Sequence, residues 1–142
     1  MRSLSEPVSA AEAHQVDTIV ISNTNNGKSI APIVAVKRNA SLITNVLETP
    51  SSTNPFTVKR KAFSSKAFAH FTTNSPQKVI TITPNALGVV ESLTTPDVQE
   101  FEYSTSSSDN RLSSISVEKS SGKIALTEAE FVVSAGRGLK GA

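Results

Sequence analysis

The residues most able to do chemistry stand near the end of the 142-residue chain, where positions 134–140 read Ser-Ala-Gly-Arg-Gly-Leu-Lys. Phe131, Val132 and Val133, just before them, make a short apolar run of strand type. Ser134, Ala135, Gly136 and Gly138 are small, so the backbone after that strand can turn sharply and approach a ligand closely. Arg137, between two glycines, can swing its guanidinium toward a negative group. A strand opening into a Gly-rich turn with a basic residue is how many α/β proteins receive a phosphate. A Gly-X-Gly turn alone is more often only a turn, so the neighbourhood decides.

A second stretch, Ser22-Asn-Thr-Asn-Asn-Gly27-Lys28-Ser29, ends in the Gly-Lys-Ser of a phosphate-binding loop and lies between an expected strand and an expected helix. Its first glycine would stand at position 22, which is Ser. No later strand ends in the aspartate that would hold magnesium. What survives is a looser reading, in which the start of a helix over 29–38, with Lys28 beside it, holds a phosphate or nucleotide. His14 and His70 are isolated, and neither has carboxylates at ligand spacing. Glu128 and Glu130 flank Ala129 without an indicated partner, and no serine stands in a Gly-X-Ser-X-Gly elbow. Nothing here makes an enzyme site by itself.

These residues need a scaffold, and the chain can supply a modest one. It is 37% hydrophobic and 5% aromatic, with Ser, Thr and Asn making up the difference. The net charge of +2 and sequence pI near 9.0 are too mild to argue for nucleic acid. Lys59-Arg60-Lys61, with Lys66 nearby, reads as a solvated or lysine-protected edge strand. There are no cysteines, which excludes disulfides and thiol chemistry. No apolar run approaches the roughly 18–20 residues of a membrane span, and the N-terminus lacks an apolar signal region. The expectation is a soluble, cytoplasmic chain without membrane insertion.

In order, residues 5–16 read as a short helix capped by Ser5, and 18–21 as a buried strand. A helix over 29–38 follows, with Pro32 in its first turn and apolar residues around most of its surface. Residues 41–46 make a second strand, and strand, helix, strand predicts a side-by-side parallel pair. Residues 56–63 and 66–73 predict a hairpin turning at Ser64-Ser65. Residues 78–83 are apolar on both faces, which places them mid-sheet. Weak strands are expected at 98–103 and 112–118, with a polar loop over 104–110. The fold class is α/β: a partial three-layer parallel sheet of Rossmann-like, adenine nucleotide α hydrolase-like kind, with an antiparallel hairpin addition.

The run from Ser121 to Gly141, Ser-Gly-Lys-Ile-Ala-Leu-Thr-Glu-Ala-Glu-Phe-Val-Val-Ser-Ala-Gly-Arg-Gly-Leu-Lys-Gly, resembles the α subunit of electron transfer flavoprotein where its N-terminal domain meets its FAD-binding domain. The stretch from Thr18 to Lys37 is similar to that family's strand, small polar loop and Ala-Pro-bearing helix. Residues 41–46, 63–68 and 78–85 resemble the strand, hairpin and strand that follow, in the family's own order. The resemblance implies an electron carrier that takes electrons on FAD from acyl-CoA and other flavin dehydrogenases and passes them to a membrane quinone reductase. It implies a heterodimer with a β subunit that holds AMP, in the cytoplasm or, in a eukaryote, the mitochondrial matrix. Arg137 matches the family arginine that contacts FAD, and Gly136 and Gly138 match its neighbours. Residues 1–133 would then be a partial N-terminal α/β domain, and 134–142 the first turn of a missing flavin domain. The expectation is a structural and interfacial piece without a catalytic site of its own, unable to hold FAD alone. An unmatched strand edge would leave it marginally stable or self-associating.

Overall fold

A computed structural model describes residues 6–104, 115–118, 122–124, 126 and 129–138. The chain separates into two compact units, Met1–Leu112 and Ser113–Ala142. Among the described residues the first holds all the regular structure: helices α1 (Glu6–Ala13) and α2 (Asn25–Lys37), and strands β1 (Thr18–Ser22), β2 (Ser41–Val46), β3 (Ser52–Thr53), β4 (Phe56–Ala62), β5 (Ala67–Thr73) and β6 (Lys78–Ile82). It is the mixed α/β, Rossmann-like partial fold expected from the sequence.

The sheet runs β1-β6-β2-β4-β3, with β5 paired to β4. β1, β6 and β2 are parallel, in register from Thr18 opposite Lys78 and from Ser41 opposite Lys78. The expected side-by-side pair of β1 and β2 is therefore corrected: the two are parallel, but β6 lies between them. The cause is burial. Val79, Ile80 and Thr81 are all buried, so β6 needs a neighbour on each edge and cover on each face. β1 tolerates the outside place. It ends the described strand order, and Val20 is 57% exposed, so β1 is not the buried strand its β-branched run suggests.

Consecutive β6 residues face opposite layers. Val79 joins Val8 of α1 and Ala31, Val34 and Ala35 of α2, with Ile19, Ile21 and Leu42 around them. Ile80 joins Ile43, Val46, Phe56 and Val58 on the other face, which β4 closes. Among the described residues both helices thus cover one face, and the hairpin strand serves the other.

Helix α2 begins four residues before the expected start. Thr24 is its N-cap, with its side-chain oxygen accepting from the Gly27 amide at 3.2 Å. Pro32 then falls inside the helix, where it cannot donate to the Lys28 carbonyl. Both residues are exposed, so water can serve that carbonyl. Only one face of α2 is covered, since Ile33 and Val36 are exposed. At the other end Arg38 donates to the Val16 carbonyl at 2.7 Å and to the Gln77 side chain, tying α2 to the entries of β1 and β6.

The hairpin forms as expected, in register from Phe56 opposite Thr73 to Ala62 opposite Ala67. Its turn has four residues, Phe63 to Lys66, not the two at Ser64-Ser65. Phe63, Ser64 and Ser65 all take positive φ, a costly choice for residues with a Cβ. Lys59, Arg60 and Lys61 lie on β4, which is inside the sheet; the edge strand is β5, and the basic run does not guard an edge in the sense expected.

No strand forms at 98–103 or 131–133, nor at 115–118, the described part of the expected strand at 112–118. Phe131 and Val133 are almost fully exposed. Their apolar side chains have no sheet neighbour to cover them, and an isolated run of three cannot satisfy its backbone as a strand. The Ser5 cap and the loop over 105–110 fall outside the described residues.

Val79→Ala should test the central strand. It leaves a hole between β6 and α2, and the expected loss is about 2 kcal/mol, read as a lower urea midpoint at unchanged slope. The same change at exposed Val20 should cost well under half of that.

Candidate functional site

Parallel α/β sheets receive ligands at the carboxyl ends of their strands. Here three polar side chains meet there. Asn23 follows β1, Asn45 lies in β2, and Thr81 is in β6. The Thr81 hydroxyl donates to Asn23 Oδ1 at 2.9 Å and accepts the Asn45 amide at 3.1 Å. Asn23 Nδ2 donates to Asn45 Oδ1. Thr81 is fully buried and Asn23 nearly so. Asn45 takes φ of 59°, and the register of β2 against β6 shifts between Ile43 and Val46. That irregularity turns the Asn45 amide onto the Thr81 hydroxyl, a bond a regular ladder would not make. The three groups satisfy one another, so they lock three strand ends together. The one sequence signal was a threonine inside the apolar run Val79-Ile-Thr-Ile82.

The Ser22–Ser29 stretch is a short bend followed at once by helix. The Asn23 amide donates to the Ile82 carbonyl at 2.8 Å and the Lys28 amide to the Thr24 carbonyl at 2.9 Å. Ser29 Oγ donates back to the Asn25 carbonyl at 3.1 Å, so its hydroxyl is turned onto the helix. Gly27 is buried, and a Cβ there would sit 1.9 Å from the Ser22 carbonyl oxygen. Its role is close helix–strand approach, not a phosphate cradle. The helix start expected at 29 is at Asn25, which moves any free amides to Asn25 and Asn26. At the carboxyl ends of β1 and β6 a shallow, open crevice of about 300 Å³ is lined by Val20, Ser22, Ile82, Thr83 and Asn85, among others.

Arg137, Gly136 and Gly138 lie in the second unit, in an exposed and irregular stretch. Nothing lies within 4 Å of where a Cβ would stand on either glycine. No strand delivers the arginine to its turn. Of the remaining candidates, His14 meets Phe101 with ring centroids 6.1 Å apart, and His70 stands opposite Lys59 in the hairpin. Glu130 is exposed, and Glu128 lies outside the described residues. Among the described residues no group of His, Asp or Glu is placed to hold a metal, and no helix is long and apolar enough to cross a membrane.

Two substitutions test this end of the sheet. Thr81→Val keeps the shape but leaves the Asn45 amide and the Asn23 carbonyl unpaired, with an expected loss of about 1–3 kcal/mol by chemical denaturation. Gly27→Ala forces a backbone clash that no rotamer relieves. It should cost about 3 kcal/mol or leave the protein unfolded by circular dichroism.

Comparison with known proteins places the scaffold. The electron transfer flavoprotein domain model matches residues 8–106, more than half of the chain and including every described helix and strand but the first residues of α1. The electron transfer flavoprotein subunit alpha of Bacillus subtilis (strain 168) is 24% identical over 131 residues. That alignment covers 91% of this chain and 40% of the relative, so the chain spans well under half the relative's length. With its parallel β1-β6-β2 core and its hairpin inside the matched region, the chain belongs to the electron transfer flavoprotein domain family.

Proposed function

We propose that this chain is the structural and interfacial part of an electron transfer flavoprotein α subunit. In this reading it contributes to a carrier that takes electrons on FAD from acyl-CoA and other flavin dehydrogenases and gives them to a quinone reductase. It carries no catalytic site of its own and works against a β subunit as a heterodimer. The observation that supports this most directly is the family match over 8–106, joined in sequence to the Gly136-Arg137-Gly138 turn.

The residues present suit a contact with FAD but not a pocket for it. Arg137 is exposed, and the open space around Gly136 and Gly138 lets a ligand approach the backbone. A guanidinium there can pair with an anionic or electron-rich group of the flavin nucleotide and hold it at the domain edge. One exposed arginine cannot bury the 70–90% of a ligand's surface that a small-molecule site does. FAD, when bound, supplies the reversible electron uptake; the chain's own part is to present Arg137 and to hold the subunit frame.

A second reading, a stand-alone nucleotide-binding α/β module using the Ser22–Ser29 loop, draws on the amides of Asn25 and Asn26 at the start of α2. The two separate cleanly. Purified alone, the chain should be colourless, with no stoichiometric flavin absorbance in the visible. It should co-purify with the β subunit encoded in the same genome. Stoichiometric flavin on the isolated chain, or failure to engage that subunit, would count against the proposal. Saturable amide shifts at Asn25 and Asn26 on AMP titration, with no subunit binding, would favour the second reading.

A further inference from the structure

The mild net charge of +2 conceals a segregation of charge along the chain. The hairpin, residues 56–73, carries Lys59, Arg60, Lys61 and Lys66 and no carboxylate. Residues 86–103 carry Glu91, Asp97, Glu100 and Glu102 and neither lysine nor arginine. The four hairpin cations are not equally available. Lys59 pairs with Glu48 at 2.7 Å, and its ammonium lies 4.8 Å from the Phe68 ring centroid. The Arg60 guanidinium lies 4.9 Å from the centroid of Phe71. Lys61 and Lys66 are exposed and have no ion pair among the described residues.

These two free lysines flank the hairpin tip. There Phe63, Ser64 and Ser65 take φ of 49°, 52° and 70°, and the Lys66 amide donates to the Phe63 carbonyl at 3.1 Å. Three consecutive left-handed residues with a Cβ are costly, and glycine would relieve the cost at each. The turn also leaves Phe63 83% exposed, without a ring contact among the described residues. A strained tip that holds an apolar ring in water between two unpaired cations gains nothing from packing within its own fold. What it offers is a ring already presented outward, with charge on both sides of it.

We infer that this tip, residues 61–66, docks on the surface of a bilayer that contains anionic phospholipid. Phe63 enters the boundary between headgroups and acyl chains, and the Lys61 and Lys66 ammonium groups stay among the headgroup phosphates and carboxylates. The contact is peripheral and reversible, since one ring and two lysines fall short of a permanent anchor. Single-stranded nucleic acid is the other polyanion a basic, aromatic surface can meet, but it calls for a row of free aromatic faces. Phe68 and Phe71 already hold a cation against their rings, and Phe63 alone is not a row. The tip lies beyond Ala62 and Ala67, where the two strands end, so its use does not occupy the sheet edge. The inference does not rest on the electron-carrier reading.

The test uses the full chain and vesicles of phosphatidylserine with phosphatidylcholine. The unmodified chain should sediment with these vesicles, and high salt should release it. Lys61→Glu with Lys66→Glu should lower the partition about tenfold or more, and Phe63→Ser should lower it about tenfold. The sequence has no tryptophan, so Phe63→Trp makes a single reporter at the tip. Its emission should shift to the blue on the anionic vesicles and be quenched by bromine-labelled acyl chains, and vesicles of phosphatidylcholine alone should do neither. All these positions are exposed, and circular dichroism checks that each variant is folded. Sedimentation and tryptophan emission are independent readouts, so a variant that fails to fold leaves the other to decide. No sedimentation at low salt, a partition untouched by both the lysine and the Phe63→Ser changes, or a tryptophan unquenched on anionic vesicles would each overturn the inference. So would a tryptophan that responds to a single-stranded oligonucleotide and not to vesicles.

Discussion

Everything in the first unit depends on the need of one strand to be covered on all sides. Val79 and Thr81 are sealed beneath α2, and Ile80 is sealed beneath β4, so β6 can occupy only the centre of the sheet. That demand separates β1 from β2 and fixes the register of both. It also brings the carboxyl ends of three strands together, where an unpaired polar atom would be costly. The mutual bonding of Asn23, Asn45 and Thr81 answers that cost without using charge. Gly27 completes the arrangement by letting the first turn of α2 descend to the Ser22 carbonyl.

The polar cluster is thus better understood as a fastener than as a receptor. The Thr81 hydroxyl, both asparagine side-chain oxygens and Asn23 Nδ2 are all used within the cluster, whereas a ligand site leaves most of its groups to spare. The chain's more available chemistry is peripheral: the exposed Arg137, the basic hairpin and the acidic run that follows β6. Its cations do not act alike. Lys59 and Arg60 lay their charge on phenylalanine rings, which anchors the hairpin's own aromatics. Lys61 and Lys66 point their charge at solvent.

Much of this was legible from residue types. The all-apolar faces of Val79-Ile-Thr-Ile82 located the central strand, and the paired strand-like runs around 63–66 located the hairpin. The family emerged from motifs spread in order along the chain. What was not legible was long-range. Nothing local in β1 and β2 says that a later strand will part them, since the neighbour rule for consecutive strands is only a tendency. Pro32 misled about α2 because proline marks first turns well but is also tolerated on an exposed helix face. The runs at 98–103 and 131–133 have strand composition, yet a strand needs a partner edge, which composition cannot promise. Of the candidate site, the glycines and arginine at 136–138 were visible in sequence, while the Asn23–Asn45–Thr81 cluster was not. It depends on an irregular register that brings three distant residues within hydrogen-bond reach.

The central position of β6 also shapes how the chain must assemble. During synthesis β1, α2, β2 and the hairpin all emerge before the strand that joins them. Until it arrives, two parallel strands flank a vacant slot, each with an unsatisfied backbone edge and apolar side chains beneath α2. Contacts that close only after so long an interval are slow to form, and in that interval any extended apolar segment is a rival for the slot. The nascent protein is therefore most exposed to misassembly after the hairpin has emerged and before β6 follows it, and a chaperone that shields extended apolar strands would act at that moment.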